Sequence, residues 1–208
     1  MAASSLEVEN LHVWRGERHV LRGVGFALAP GECLALRGAN GAGKTSLLRT
    51  LAGLMYPEEG AVRWGGSDVR RDLRSFQASL AYLGHEPPLK ADLTAQENLR
   101  YWIGTRRRVS EGEVRAGLAR TGAESLGARL VRTLSAGQRR RVALAALTLC
   151  AVPLWLLDEP ATNLDAEGQH LVGALISEQL ARGGLTVAAV HHDLPVGGGA
   201  VRTLELAA

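Results

Sequence analysis

The sequence predicts an α/β protein in which a small antiparallel β-layer leads into a parallel-sheet core carrying an inserted helical subdomain. Three observations carry this reading. Two stretches near the start, 6–13 and 20–28, alternate apolar and polar residues. Short apolar runs then alternate with helical segments, and the first run stops at a glycine-rich loop. Finally, a helical stretch from about Pro87 to Arg141 separates two of the runs and is long enough to form a subdomain.

The elements follow in order. Leu6–Val13 and Val20–Leu28 read as strands with one solvated face, and Pro30-Gly31 turns the chain. Cys33–Arg37 is a short apolar run, and Thr45–Leu54 has helical character closed by Gly53 and then Pro57. Ala61–Trp64 is a short strand left through Gly65-Gly66, and Leu80–Leu83 is a buried one. From Thr94 to about Arg132 the pattern is helical, with capping-box signatures at Thr94/Glu97 and Ser110/Glu113. Ser135–Cys150 predicts a long helix, Leu154–Leu157 a strand, Ala166–Arg182 a helix, Thr186–Val190 a strand and Val201–Leu206 a last short strand. On this reading residues 1–86 and 142–208 form the α/β core and 87–141 the helical subdomain of a single domain.

Composition bounds the function classes. With 208 residues, 46% of them apolar, the chain can bury one sizeable core. A net charge of +3 permits contact with anions but demands none, and no nucleic-acid partner is expected. The clusters Arg106–Arg108 and Arg139–Arg141 read as solvated helix faces. The two cysteines, Cys33 and Cys150, lack metal-type spacing and read as buried thiols in a reducing compartment. The N-terminus shows no secretory signal. The longest apolar run, Val142–Leu157, is short for a membrane span, is broken by Pro153 and ends at Asp158 and Glu159.

Three motifs carry chemistry. Gly38-Ala39-Asn40-Gly41-Ala42-Gly43-Lys44-Thr45, placed after a strand and before a helix that continues with Ser46, fits a phosphate-cradling loop. Its glycines let successive N–H groups converge on one anion, and the helix start adds its positive end. Lys44 is placed for the β- and γ-phosphates of a nucleotide, and the Thr45 hydroxyl for Mg²⁺. Leu154-Trp155-Leu156-Leu157-Asp158-Glu159 is a buried strand that ends in two carboxylates. Asp158 suits Mg²⁺, and Glu159 suits a general base for the attacking water. Leu134-Ser135-Ala136-Gly137-Gln138 opens the long helix as a second anion-binding start. One chain with one phosphate loop has little need for two, so a two-fold homodimer is the economical explanation, each copy's Ser135 helix capping the partner's nucleotide.

In combination these motifs, over essentially the whole chain, resemble the ATP-binding cassette (ABC) ATPases. The resemblance implies an ABC-type P-loop NTPase fold and nucleotide contacts from Ser135, Gly137 and Gln138. It assigns Thr162-Asn163-Leu164-Asp165 to the loop along the dimer seam, with Asp165 near nucleotide. It assigns His192-Asp193-Leu194 to the switch element, with His192 on the γ-phosphate and His191 out of phase. His85 occupies the position where the family usually has a glutamine near Mg²⁺ or the attacking water. The family also stacks adenine on an aromatic near the N-terminus. By spacing this falls on Arg15, with Trp14 next to it, and Trp14 serves only if the register shifts. Trp14 is favoured over the Arg15 guanidinium.

The stretches LGHEPPLKADLTAQENL and LSAGQRRRVALA further resemble the ATP-binding subunits of the haem-export system of cytochrome c maturation. That implies an ATPase on the cytoplasmic face of the bacterial inner membrane, peripheral, with transmembrane permease subunits as partners. ATPases of other ABC exporters, and ABC ATPases acting on nucleic acid or ribosomes, are the alternatives.

Overall fold

The computed structural model describes residues 4–193, 195–198 and 200–207. The first part of the chain is β1 (Leu6–Arg15), β2 (Arg18–Leu28), β3 (Glu32–Arg37), α1 (Lys44–Leu51), β4 (Glu59–Trp64), β5 (Ser67–Asp68), α2 (Leu73–Ala78) and β6 (Leu80–Leu83). The helical part holds α3 (Ala95–Gly104) and α4 (Glu111–Arg120) and leads into α5 (Ala136–Cys150). The chain closes with β7 (Leu154–Asp158), α6 (Ala166–Ala181), β8 (Leu185–Ala189) and β9 (Ala200–Glu205). The short elements β5 and α2 are additions to the sequence reading, too brief to show a period.

Two sheets result. An antiparallel sheet has the order β2-β1-β4-β5, and a wholly parallel one the order β6-β7-β8-β3-β9. The inner strands β7 and β8 are buried at every position, as a parallel strand covered on both faces must be. One core lies between the two sheets and α1, where Leu47, Leu48 and Leu51 pack with Leu34, Leu36, Leu156 and Val187. A second lies across the parallel sheet under α5 and α6.

The helical subdomain has a core of its own, built from Ala95, Leu99, Val114, Leu118 and Val131 among others. Both predicted capping boxes form, at Thr94/Glu97 and Ser110/Glu113. Helicity ends at Arg120 rather than near Arg132. Gly122 takes a φ of 65° that stops α4, and only two single 3₁₀ turns follow, at 124–126 and 131–133. Helix α5 is apolar nearly all round because it serves two cores. Val142, Ala145 and Ala146 face the subdomain, while Ala143, Leu144 and Leu147 face the parallel sheet.

The arginine clusters are not merely solvated faces. Arg106 donates to the carbonyls of Ala78 and Leu80, and Arg107 to that of Leu149. Arg140 is 1% exposed and donates to the carbonyls of Gly84 and His85. Carbonyls at the ends of helices and strands lack partners within their element, and a forked cation satisfies them.

The α4 cap supplies a pH test. The Glu113 carboxylate accepts from the Ser110 backbone N–H at 2.8 Å, from Arg107 at 2.7 Å and from the Ser110 hydroxyl at 2.9 Å. These bonds, the backbone one foremost, pull its pKa from 4.5 to about 2. Because the folded pKa is depressed, the stabilisation is complete above about 4.5 and lost as pH falls toward about 2. Hydrogen exchange of the first-turn amides of α4, corrected for intrinsic rate, should lose protection across that window. In Glu113→Ala the loss should already be present at neutral pH; parallel curves for the two proteins would remove the cap from the account.

Candidate active site

The parallel sheet places the ends of four neighbouring strands, β6, β7, β8 and β3, side by side, and each hands the chain to a site residue. Such carboxyl ends of parallel strands are where ligands bind in open α/β sheets. After β3 comes the loop from Gly38 to Gly43. Gly43 has a φ of 100°, and a Cβ there would fall 2.8 Å from the Leu21 side chain and 2.9 Å from that of Val20. Only glycine allows α1 to start this close to β2. No side chain caps the first turn of α1, so its N–H groups point into the loop. Lys44 is buried and donates from Nζ to the carbonyls of Gly38 at 2.7 Å and Ala39 at 3.2 Å.

After β7 the two carboxylates take different environments. Asp158 is 2% exposed and accepts from Thr45 Oγ1 at 2.8 Å. The next residue, Glu159, has a φ of 51°, in the left-handed region that side chains other than glycine rarely adopt. Its N–H donates to the carbonyl of Ala189 in the neighbouring strand. Its carboxylate accepts from His191 Nε2 at 2.7 Å and Thr162 Oγ1 at 3.2 Å, and His85 Nδ1 lies 3.2 Å from its Oε2. Partial burial works to raise the Glu159 pKa. The His191 hydrogen bond and charge, the Thr162 hydroxyl and the His85 charge outweigh it and hold the carboxyl below its ordinary value. Glu159 is therefore an ionised acceptor at neutral pH.

A cleft of about 610 Å³ is lined by Asn40, Gly41, Gly43, Lys44, Thr45 and Ser46 from the loop, with His85 and Glu159 opposite. Gly38, Ala39 and Ala42 complete the loop behind it, with Ala42 buried. Thr45 and Asp158 offer a hydroxyl and a carboxylate oxygen 2.8 Å apart. That hard donor pair fits Mg²⁺, which takes few protein ligands and fills its sphere with water and phosphate oxygens.

Several expected residues lie elsewhere. The β1–β2 register does shift, but on β2: Val13 pairs with Leu21 and Trp14 with His19, so Val20 is the extra residue. Val20 and Arg15 face the cleft, whereas Trp14 stacks on His19 with ring centres 3.7 Å apart and planes 6° from parallel. Of the two candidates for stacking on a base, Arg15 therefore lines the cleft and Trp14 does not.

The two histidines after β8 part ways. Val190 is buried and its N–H donates to the Leu36 carbonyl, prolonging β8 by one residue. His191 is the first to leave the sheet and turns onto Glu159. His192 is exposed and does not line the cleft, and Asp193 pairs with Arg37. Leu194 lies outside the described residues.

Ser135, Gly137, Gln138 and Asp165 do not line the cleft of their own chain either. Ser135 is exposed and caps α5. Its hydroxyl oxygen accepts from the Gln138 N–H at 3.2 Å, and the Gln138 side chain accepts from the Ser135 N–H at 2.9 Å. The hydroxyl proton of Ser135 has no acceptor among the described residues. Asp165 caps α6 through the Gly168 N–H and accepts from Arg141 at 3.3 Å. The sequence reading missed Arg18, which donates to the Gly41 carbonyl at 3.0 Å, and Val20. The alternation of β2 hides Val20 because a bulge leaves no mark in the apolar pattern.

Known proteins resemble this chain in sequence and in fold. The family model described as ABC transporter matches residues 21–162. The cytochrome c biogenesis ATP-binding export protein CcmA of Methylococcus capsulatus is 46% identical over 199 residues, 95% of this chain and 96% of that protein. The corresponding CcmA 2 of Cupriavidus metallidurans is 45% identical over 95% of this chain and 94% of its own length. A solved structure described as an ATP binding subunit of an ABC transporter superposes with a TM-score of 0.79 at 30% identity. That match covers 89% of this chain and 79% of the other. A Pyrococcus furiosus ABC transporter ATP-binding protein shares the fold, with a TM-score of 0.82 at 23% identity and 97% of both chains covered.

One packing contact at the start of α5 generates a test. A Cβ on Gly137 would fall 2.6 Å from the Asn163 carbonyl, so α5 can press on the 162–165 loop only with glycine there. Gly137→Ala is expected to force that loop outward and to raise hydrogen exchange in residues 162–165 while the parallel sheet keeps its protection. Unchanged exchange in the loop would show that the contact is soft.

Proposed function

Since the chain belongs to the ABC transporter family, and resembles its cytochrome c biogenesis ATP-binding export proteins over 95% of its length, we propose that it is the ATP-hydrolysing subunit of a haem-export complex serving c-type cytochrome assembly. The observation that carries the catalytic part is the convergence at four strand ends of Lys44, the Thr45–Asp158 pair and a Glu159 carboxylate held by two imidazoles.

The division of labour follows from that geometry. The loop amides, the start of α1 and Lys44 bind the triphosphate, with the Lys44 ammonium exchanging loop carbonyls for phosphate oxygens. Thr45 and Asp158 would hold Mg²⁺, which would supply positive charge against the phosphates. Arg15 lies flat against the base and Arg18 fixes the loop at Gly41. Glu159 accepts a proton from the attacking water, a role commonly contributing about 10²–10⁴-fold. His191 and His85 keep its carboxylate in place. His192, exposed beside them, remains the candidate for the γ-phosphate contact.

Ser135, Gly137 and Gln138 do not line their own chain's cleft, which supports a head-to-tail homodimer in which they close over the partner's nucleotide. No helix among the described residues is long and apolar enough to cross a membrane. Transmembrane permease subunits would supply the membrane path, with this subunit peripheral on the cytoplasmic face of the inner membrane.

Lys44→Ala should abolish ATP hydrolysis and weaken nucleotide binding; unchanged turnover would refute the phosphate-cradle assignment. Glu159→Gln should keep ATP affinity, lose turnover by about 10²–10⁴-fold and accumulate an ATP-bound dimer in size-exclusion chromatography. A variant that stays monomeric with MgATP would count against the shared site. His191→Ala and His192→Ala should each lower kcat, and a kcat untouched by either substitution would strip that residue of its role.

A further inference from the structure

Arg140 lies five residues beyond Ser135 on α5 and is 1% exposed. A guanidinium removed from water ordinarily takes a carboxylate partner. Arg140 instead donates from Nη1 to the Gly84 carbonyl at 3.1 Å and from Nη2 to the His85 carbonyl. Its Nε has no partner among the described residues. Burial pushes its pKa down, and the negative charges of Asp158 and Glu159 only partly oppose that.

A planar fork gripping two successive carbonyls fixes a backbone in direction as well as distance. The gripped residues are the two that follow β6. His85, so placed, holds Nδ1 at 3.2 Å from Glu159 Oε2. Arg106 holds the other end of the same strand through the carbonyls of Ala78 and Leu80. Helix α5 and the α3 end of the subdomain thus govern where β6 delivers its histidine.

We propose that Arg140 is a positioning residue for hydrolysis: from α5 it sets the Gly84-His85 backbone and, through His85, the carboxylate of Glu159. The role of Glu159 rests on the function proposed above. The contact chain Arg140–His85–Glu159 lies within one copy and does not need the dimer. If the dimer forms as proposed, α5 meets the partner's nucleotide with its N-cap, Ser135, and reaches its own base through His85 from its fifth residue, Arg140, so closure over one site aligns the base of the other.

The test is a double-mutant cycle on ATP turnover by the full chain in native membranes. Arg140→Lys keeps the charge, but a single ammonium cannot hold both carbonyls in a fixed fork. It should lower kcat about 10- to 100-fold, as a misplaced catalytic group does, with KM changed by less than about twofold. In a His85→Ala background the same substitution should change kcat by less than about threefold, because the group it positions is gone. Independent, multiplicative effects of the two substitutions would overturn the proposal, as would a wild-type kcat in Arg140→Lys. If Arg140→Lys fails to fold, Arg140→Gln is carried through the same cycle with the same criteria. Failure of the underlying function would appear differently, as wild-type turnover in Glu159→Gln.

Discussion

The hydrogen bond from Thr45 to Asp158 joins the two halves of the site. Thr45 is the second residue of α1, and Asp158 is the last of β7. The bond therefore fixes the phosphate loop against the carboxylate pair. Its geometry is dictated from below: β3 and β7 flank β8 in a parallel sheet, and their register sets how far each carboxyl end extends. The apolar runs of β7 and β8 are buried throughout, so a one-residue slip would break packing on both faces and the hydrogen-bonded ladder together. The chemistry inherits the stiffness of that core. Glu159 departs from it deliberately, with a left-handed backbone that turns its carboxylate toward His191 and His85 instead of continuing the strand.

The second constraint is α5. Its apolar surface is divided between the subdomain core and the sheet core, so neither can shift without it. The residues at its polar start reach outward in different directions. Ser135 is exposed, Arg141 binds Asp165 ahead of α6, and Arg140 binds the loop after β6. One helix start therefore touches two of the segments that border the site. A bare count of charge hides this, because three consecutive arginines look alike in sequence and do different work in the fold.

Much of the fold was legible because the signals were redundant. Apolar runs followed by glycine, carboxylate or histidine marked the parallel strands, and both capping boxes in the subdomain formed as read. The phosphate loop and the Asp158-Glu159 pair fell where their spacing placed them. What stayed hidden depended on tertiary geometry. The bulge at Val20 moved Arg15 rather than Trp14 to the cleft, and no local pattern announces a bulge. The extra residue that Val190 adds to β8 decides which of two identical neighbours meets Glu159, and it is His191. The arginine clusters read as solvated faces because a cation's partners here are backbone carbonyls, which every sequence contains. The end of α4 at Gly122 was visible in principle, but the second half of the subdomain kept enough apolar residues to mimic a helix.

The central claim is that the triphosphate is enclosed by the phosphate loop of one copy and the Ser135 helix start of another. Copies carrying Asn40→Cys and copies carrying Ser135→Cys, both with Cys150→Ser, can be mixed and oxidised with and without MgATP. Cys33 is buried, and its thiol is pushed up to about 12 by burial, so it stays silent in such an assay. The account predicts a cross-linked pair of one copy of each kind that forms with MgATP and not without it. Nucleotide-loaded protein that gives no such pair would contradict it.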